Sequence, residues 1–213
     1  MGLPPPRPTP YDIRRMSTIT VARTSSGTAL AADSLTTFDG LRLPPDLDAA
    51  SEKVLRLDTD AGPVAVGVVG FSAHFLVLQD ALERFEGLDL SSRRAIFETF
   101  RSLHDVLKEE YYLLTETGQE GDPYESTQVS LLIAAPTGIF GVYDMREVHE
   151  YQRYWAMGSG AGYALGAMHA RWPEAEAGDL SAGALAGVGV EAGCRFDTAS
   201  EAPVTVYEVG ERP

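Results

Sequence analysis

The apolar run Pro63-Val64-Ala-Val-Gly-Val-Val69, closed by Gly70, leaves this chain little choice of architecture. It is far short of a membrane span and reads as a strand buried on both faces, so it needs one layer of structure above it and another below. The following segments supply one of those layers. Phe75, Leu78, Leu82 and Phe85 share a stripe on one helix, and Ile96, Phe100, Leu103 and Leu107 share a stripe on a second, with Ser91 or Ser92 placed to cap it. Helices with one apolar face need a sheet to cover.

The other layer is read from strands on either side. From Ser17 the chain gives Ser-Thr-Ile-Thr-Val-Ala-Arg, the turn residues Thr24-Ser25-Ser26-Gly27, and a returning run to Asp33, which is a β-hairpin. Residues 34–52, with Gly40, Pro44 and Pro45, read as a loop before Lys53-Val54-Leu55-Arg56-Leu57 resumes strand character. Val129–Ala135 and Gly138–Tyr143 form a second hairpin about Pro136-Thr137, and Tyr151–Met157 reads as a further strand. Gly158-Ser159-Gly160 opens a small-residue helix reaching about Trp172, a last helix spans Ser181 to Gly193, and residues 203–208 close as a strand. Strands, two helices, strands and two more helices imply an α+β protein in which sheet packs on sheet with helices outside. At 213 residues we expect one domain over 17–213, preceded by a Pro- and Arg-rich leader over 1–16 without periodicity.

Composition excludes several functions. Seventeen Lys+Arg against 31 Asp+Glu give a net charge of -14, a field that repels nucleic acid and anionic membrane, so neither is an expected partner. His74, His104, His149 and His169 lack metal-ligand spacing, and the single Cys194 forms neither an internal disulfide nor a cysteine-only metal site. We therefore expect no metal and no cofactor. With no secretory signal in the Pro-rich N-terminus, the expected location is cytoplasmic.

The hairpin brings chemistry together. A turn centred on Ser25 sets Ser17 and Asp33 across from one another to within one residue, a hydroxyl beside a carboxylate. At this point the order of residues resembles the proteasome β-subunit and HslV family of N-terminal nucleophile hydrolases. Ser17-Thr-Ile-Thr-Val looks like the start of the processed family chain, and the family places an aspartate 16 residues on, as here (33 − 17 = 16). Its Lys-Val-x-Arg-Leu segment is matched by Lys53–Leu57, its Gly-Phe-x-Gly turn by Gly70-Phe71-Ser72-Ala73, and its Gly-Ser-Gly turn by Gly158-Ser159-Gly160. Order and approximate spacing agree over nearly all of residues 17–210.

The resemblance implies a four-layer αββα sandwich and a peptidase that acts on unfolded protein or peptide, assembles as a homo-oligomeric ring and admits an AAA+ ATPase partner. It also implies a role for each matched residue. Ser17 would be nucleophile and base together, because a free α-amine with a pKa of about 8 can take the hydroxyl proton. Lys53, held charged by Asp33, would lower the pKa of that amine and polarise the hydroxyl. Ser159 would hydrogen-bond the amine or its bridging water, the backbone N–H of Ala73 would form the oxyanion hole, and Phe71 would limit the depth of the substrate pocket.

The chain departs from the family in its serine where threonine is usual, in a longer loop before Lys53, and in Ala73 where the family has glycine. Serine lacks the methyl that restricts the threonine rotamer, so a less firmly held nucleophile is expected. With residues ahead of it, Ser17 carries an amide nitrogen, which is no base. Activity thus requires either cleavage between Met16 and Ser17, or translation starting at Met16 with that methionine then trimmed; we expect the second. A non-catalytic ring subunit and a small-molecule amidase of the same fold are the alternative readings.

Overall fold

The first strands of the chain, β1 (Ile19–Thr24) and β2 (Gly27–Ala32), form the expected hairpin, with Ile19 opposite Ala32. This register puts Thr18 across from Asp33, and the Asp33 N–H donates to the Thr18 carbonyl at 3.1 Å. The structure is a computed structural model that describes residues 16–38, 41–115 and 123–210; the expected leader lies outside the described residues apart from Met16.

Within the segment expected to be a loop, β3 (Thr36–Phe38) and β4 (Leu41–Leu43) pair as a small antiparallel hairpin. Then come β5 (Val54–Thr59), β6 (Gly62–Val69), α1 (Ala73–Glu83) and α2 (Arg93–Glu109). Ser92 caps α2, its Oγ accepting from the Ala95 N–H at 3.2 Å. The next elements are β7 (Ser130–Ala135), β8 (Gly138–Val142), β9 (Val148–Tyr151) and β10 (Tyr154–Met157), and the chain finishes with α3 (Ala161–Ala177), α4 (Ala182–Phe196) and β11 (Thr205–Val209).

The strand expected over Tyr151–Met157 is two strands in two sheets. One sheet has the order β5-β6-β7-β8-β9 and the other β10-β1-β2-β11, so the chain changes sheets at Gln152-Arg153. The two residues between β9 and β10 carry the chain from the edge of one sheet to the edge of the other. The third helix also runs past its expected end at Trp172 through Pro173 to Ala177, and Gly178 ends it in the left-handed conformation.

The period-2 alternation of the strands assigns every layer. In β6, Val64, Val66 and Val68 join Leu78, Leu82, Ile96, Phe100 and Leu103 in a core between the five-stranded sheet and helices α1 and α2. The alternate residues Ala65 and Val69 join Ile19, Val21, Leu30 and Leu132 in a second core between the sheets. On the far side of the smaller sheet, Ala22, Ala29 and Ala31 meet Ala186, Leu185 and Val190 of α4. The result is the four-layer αββα sandwich, in which each fully buried Val, Leu, Ile or Phe contributes about 1.5–3 kcal/mol. Small residues bring α4 close to β1, and a Cβ added at Gly193 would run into the Thr18 side chain. That contact seats the start of the first strand against the helix. Among the described residues no helix is long and apolar enough to cross a membrane.

Candidate active site

Ser17 sits one residue ahead of the point where β1 is anchored, and only 5% of its surface is exposed. The Gly158-Ser159-Gly160 turn holds its backbone. The Gly160 N–H donates to the Ser17 carbonyl at 3.3 Å, and a Cβ at Gly158, whose φ is 102°, would strike that same carbonyl. Gly158 is therefore required twice, by its own backbone conformation and by the approach of Ser17. Ser17 itself has a φ of 147°, a region that residues with a Cβ rarely occupy.

Asp33 follows directly on β2, with its side chain wholly buried. Its carboxylate accepts the N–H of Thr18 at 2.9 Å, of Leu35 at 3.0 Å and of Glu201 at 3.3 Å, and both oxygens accept from Lys53 Nζ at 2.9 Å. A buried charge with this many donors is compensated where an unpaired one would be expelled. Lys53 directly precedes β5 and is fixed to β6 by its carbonyl, which accepts from the Val68 N–H at 3.0 Å. Its ammonium makes one further bond, donating to Ser17 Oγ at 3.1 Å. Burial lowers the Lys53 pKa below the ordinary lysine value, and the Asp33 carboxylate beside it pulls the other way.

A second polar string approaches Ser17 from the opposite side. The Ser17 N–H donates to Ser159 Oγ at 3.4 Å, and the Ser159 hydroxyl donates to Asp197 Oδ2 at 2.7 Å. Asp197 also accepts from Ser200 Oγ at 2.7 Å, and Ser200 bonds Thr18 Oγ1 at 2.7 Å. Asp197 and Ser200 were missed in the sequence. The signal there was the Asp-x-x-Ser spacing just after a helix, which looks like an ordinary helix stop; only the return of α4 along β1 carries it to Ser159.

Ala73 is the first residue of α1, and its amide is one of those that a helix start leaves without an intrahelical acceptor. It follows the turn Gly70-Phe71-Ser72, which lines a cavity of about 410 Å³ together with Ser17 and Lys53. Phe71 lines this cavity and meets His74 edge-on at 5.5 Å. Cys194 lies within electrostatic reach of Asp33 and Lys53, and burial, reinforced by the Asp33 charge, pushes its thiol up to about 11. At neutral pH it is no competing thiolate. The structure thus places Ser17, Asp33, Lys53 and Ser159 in one bonded cluster, with Phe71 in the wall of the cavity that opens onto it and Ala73 at the adjoining helix start.

No protein-family model matches the sequence, and no curated protein matches it. Solved structures do. BPH from Thiobacillus denitrificans, a bacterial proteasome homologue, is 36% identical over 92% of this chain, with a TM-score of 0.80. It has been seen alone and in complex with epoxomicin, with 99% and 100% of those chains covered. Eukaryotic HslV from Trypanosoma brucei is 19% identical over 91% of this chain and 99% of its own, with a TM-score of 0.65, which is a likeness of fold.

Proposed function

We propose that this chain, which belongs to the proteasome/HslV-like family, hydrolyses peptide bonds with Ser17 as an N-terminal nucleophile once the residues ahead of it are gone. The observation that carries the reading is the bond from Lys53 Nζ to Ser17 Oγ at 3.1 Å, made by an ammonium already paired with buried Asp33. A cation donating to a hydroxyl favours its deprotonated form, and no surface role requires it.

In this mechanism Ser17 Oγ attacks the carbonyl carbon of the scissile peptide, and its proton passes to the free α-amine of Ser17. The carbonyl oxygen becomes an oxyanion met by the Ala73 N–H. Collapse of the tetrahedral intermediate breaks the C–N bond, with the Ser17 ammonium returning its proton to the departing amine. An ester to Ser17 remains. Water then attacks that ester with the amine as base, releasing the acid and restoring Ser17. Ser159 and Asp197 hold the amine in place, and Lys53 keeps the hydroxyl polarised throughout. Assembly of the chain as a homo-oligomeric ring, open to an AAA+ ATPase, belongs to the same proposal.

The test uses protein shown by mass spectrometry to begin at Ser17. Fluorogenic peptides should be cleaved, and epoxomicin, which BPH binds, should stop the cleavage by attaching at Ser17. A folded protein with a free Ser17 that cleaves no peptide and takes up no epoxomicin would rule the reading out.

A further inference from the structure

The cavity beside Ser17 carries a charge pattern of its own. Ser17 and Lys53 stand on its wall, so a side chain filling it belongs to the residue whose carbonyl Ser17 attacks. Its apolar wall includes Leu35, Phe71, Phe75 and Leu76, enough to cover a long aliphatic stem. Two carboxylates share the lining, Asp48 and Glu52, both from the segment between β4 and β5. Among the described residues that line it, Lys53 is the only cation, and its charge is already matched by Asp33. From this pattern we infer that Asp48 and Glu52 select lysine or arginine as the residue immediately before the bond that is cut, an inference that rests on the peptidase reading above.

The hydrogen bonds of the two carboxylates fix them and leave them able to accept more. Asp48 takes the Ala50 N–H on Oδ1 at 2.9 Å and the Thr36 hydroxyl on Oδ2 at 2.9 Å, which orients the group against the β3–β4 hairpin. Glu52 Oε1 accepts from the Tyr207 hydroxyl at 2.9 Å, and its Oε2 has no hydrogen-bond partner among the described residues. Each oxygen can accept a second bond, and a guanidinium or ammonium head brings the donors. A carboxylate side chain of the substrate would face two like charges there, and an apolar one would bury them against hydrocarbon. The pocket therefore discriminates by repelling acids as well as by attracting bases. The net charge of -14 adds a field that draws basic peptides toward the site.

The experiment is a panel of otherwise identical fluorogenic peptides ending in Arg, Lys, Leu, Phe or Glu before the leaving group, tested on protein beginning at Ser17. Arg and Lys should exceed Leu and Phe at least tenfold in kcat/KM, with Glu lowest. In Asp48→Asn, the amide oxygen still accepts from Ala50 and the amide nitrogen can bond Thr36, so the segment is kept while the charge is lost. The Arg-to-Leu ratio should fall about tenfold there, fall in Glu52→Gln as well, and recover in Asp48→Glu. Equal or greater hydrolysis after Leu, or a ratio unmoved by both charge-removing variants, overturns the assignment. Ser17→Ala protein provides an arm independent of turnover: fluorescence anisotropy should show it binding the Arg peptide at least tenfold tighter than the Leu peptide, and equal binding overturns the inference. Absence of cleavage with that binding preference intact would count against the peptidase reading alone.

Discussion

Lys53 Nζ lies 3.1 Å from Ser17 Oγ while it holds both oxygens of Asp33 at 2.9 Å. The ammonium thus has three acceptors, the two carboxylate oxygens that neutralise it and the Ser17 hydroxyl. That arrangement ties the Ser17 hydroxyl to a buried ion pair at the start of the sandwich, where β1, β2 and β5 begin or end.

If Ser17 supplies the nucleophile, Ser17→Ala should abolish peptide hydrolysis and leave the fold intact, since its hydroxyl makes no bond that the core depends on. Ser17→Thr should keep or raise activity, because the added methyl restricts the rotamer. Steady-state rates beside circular dichroism decide this, and unchanged turnover in the alanine variant would remove Ser17 from the chemistry.

Replacing Lys53 with Ala should lower kcat by about 10²-fold, the scale of a lost electrostatic or acid–base group. The wild-type rate should rise with pH as the Ser17 amine loses its proton, around pH 8 or below. It should fall again on the alkaline side below the ordinary lysine range, because burial lowers the Lys53 pKa. For stability the sign is the opposite of an ion pair that only gains. A lysine with a folded-state pKa below its unfolded one leaves the unfolded chain holding more protons between those values, so stability should rise with pH across that window. Denaturant titrations in the alkaline range would read this directly.

Among the described residues Asp197 makes no hydrogen bond to Ser17 and does not line the cavity, yet it accepts from Ser159 and Ser200 at 2.7 Å each. Asp197→Ala should reduce kcat about tenfold with little change in KM, as expected of a positioning residue whose loss lets Ser159 turn away from the amine. Asp197→Asn, whose amide oxygen can take the place of Oδ2 and accept both hydroxyls, should retain more activity. A change confined to KM would place Asp197 in substrate binding instead.

Most of the sandwich was legible in the sequence because its signals are local. The alternation of Val64, Val66 and Val68 against Ala65 and Val69 is a period-2 pattern, and the stripe of Ile96, Phe100, Leu103 and Leu107 is a helical one. The break at Gln152-Arg153 was not legible, since Val148–Met157 has strand character on both sides and only tertiary pairing separates β9 from β10. The site divides in the same way. Ser17 and Asp33 are joined by a short hairpin, and their proximity follows from turn geometry. Asp197 and Ser200 reach Ser159 only through the packing of a whole helix, and Asp48 and Glu52 reach the cavity from a segment that carries no periodicity at all.

Activity should depend on a free nitrogen at Ser17. With Met16 attached, that nitrogen is an amide that donates to Ser159 Oγ at 3.4 Å, and an amide cannot take the hydroxyl proton. Met16 also lines the cavity beside Ser17 and its sulfur accepts from the Thr37 hydroxyl at 3.0 Å, so on the proposed reading an attached Met16 should compete with a bound peptide there. The φ of 147° at Ser17 is set by the Met16 carbonyl and costs on the order of 1–3 kcal/mol, a strain that vanishes when the bond between them is cut. A chain starting at Met16 should be trimmed to Ser17 and become active. A chain keeping residues 1–15, with Met16→Pro to resist cleavage, should fold, show no hydrolysis and bind peptide substrates weakly. Intact-mass measurement beside a fluorogenic assay distinguishes the two forms. Hydrolysis by the uncleaved form at the rate of the trimmed one would mean that the free amine is not the base, and that the proton of Ser17 Oγ leaves by another group.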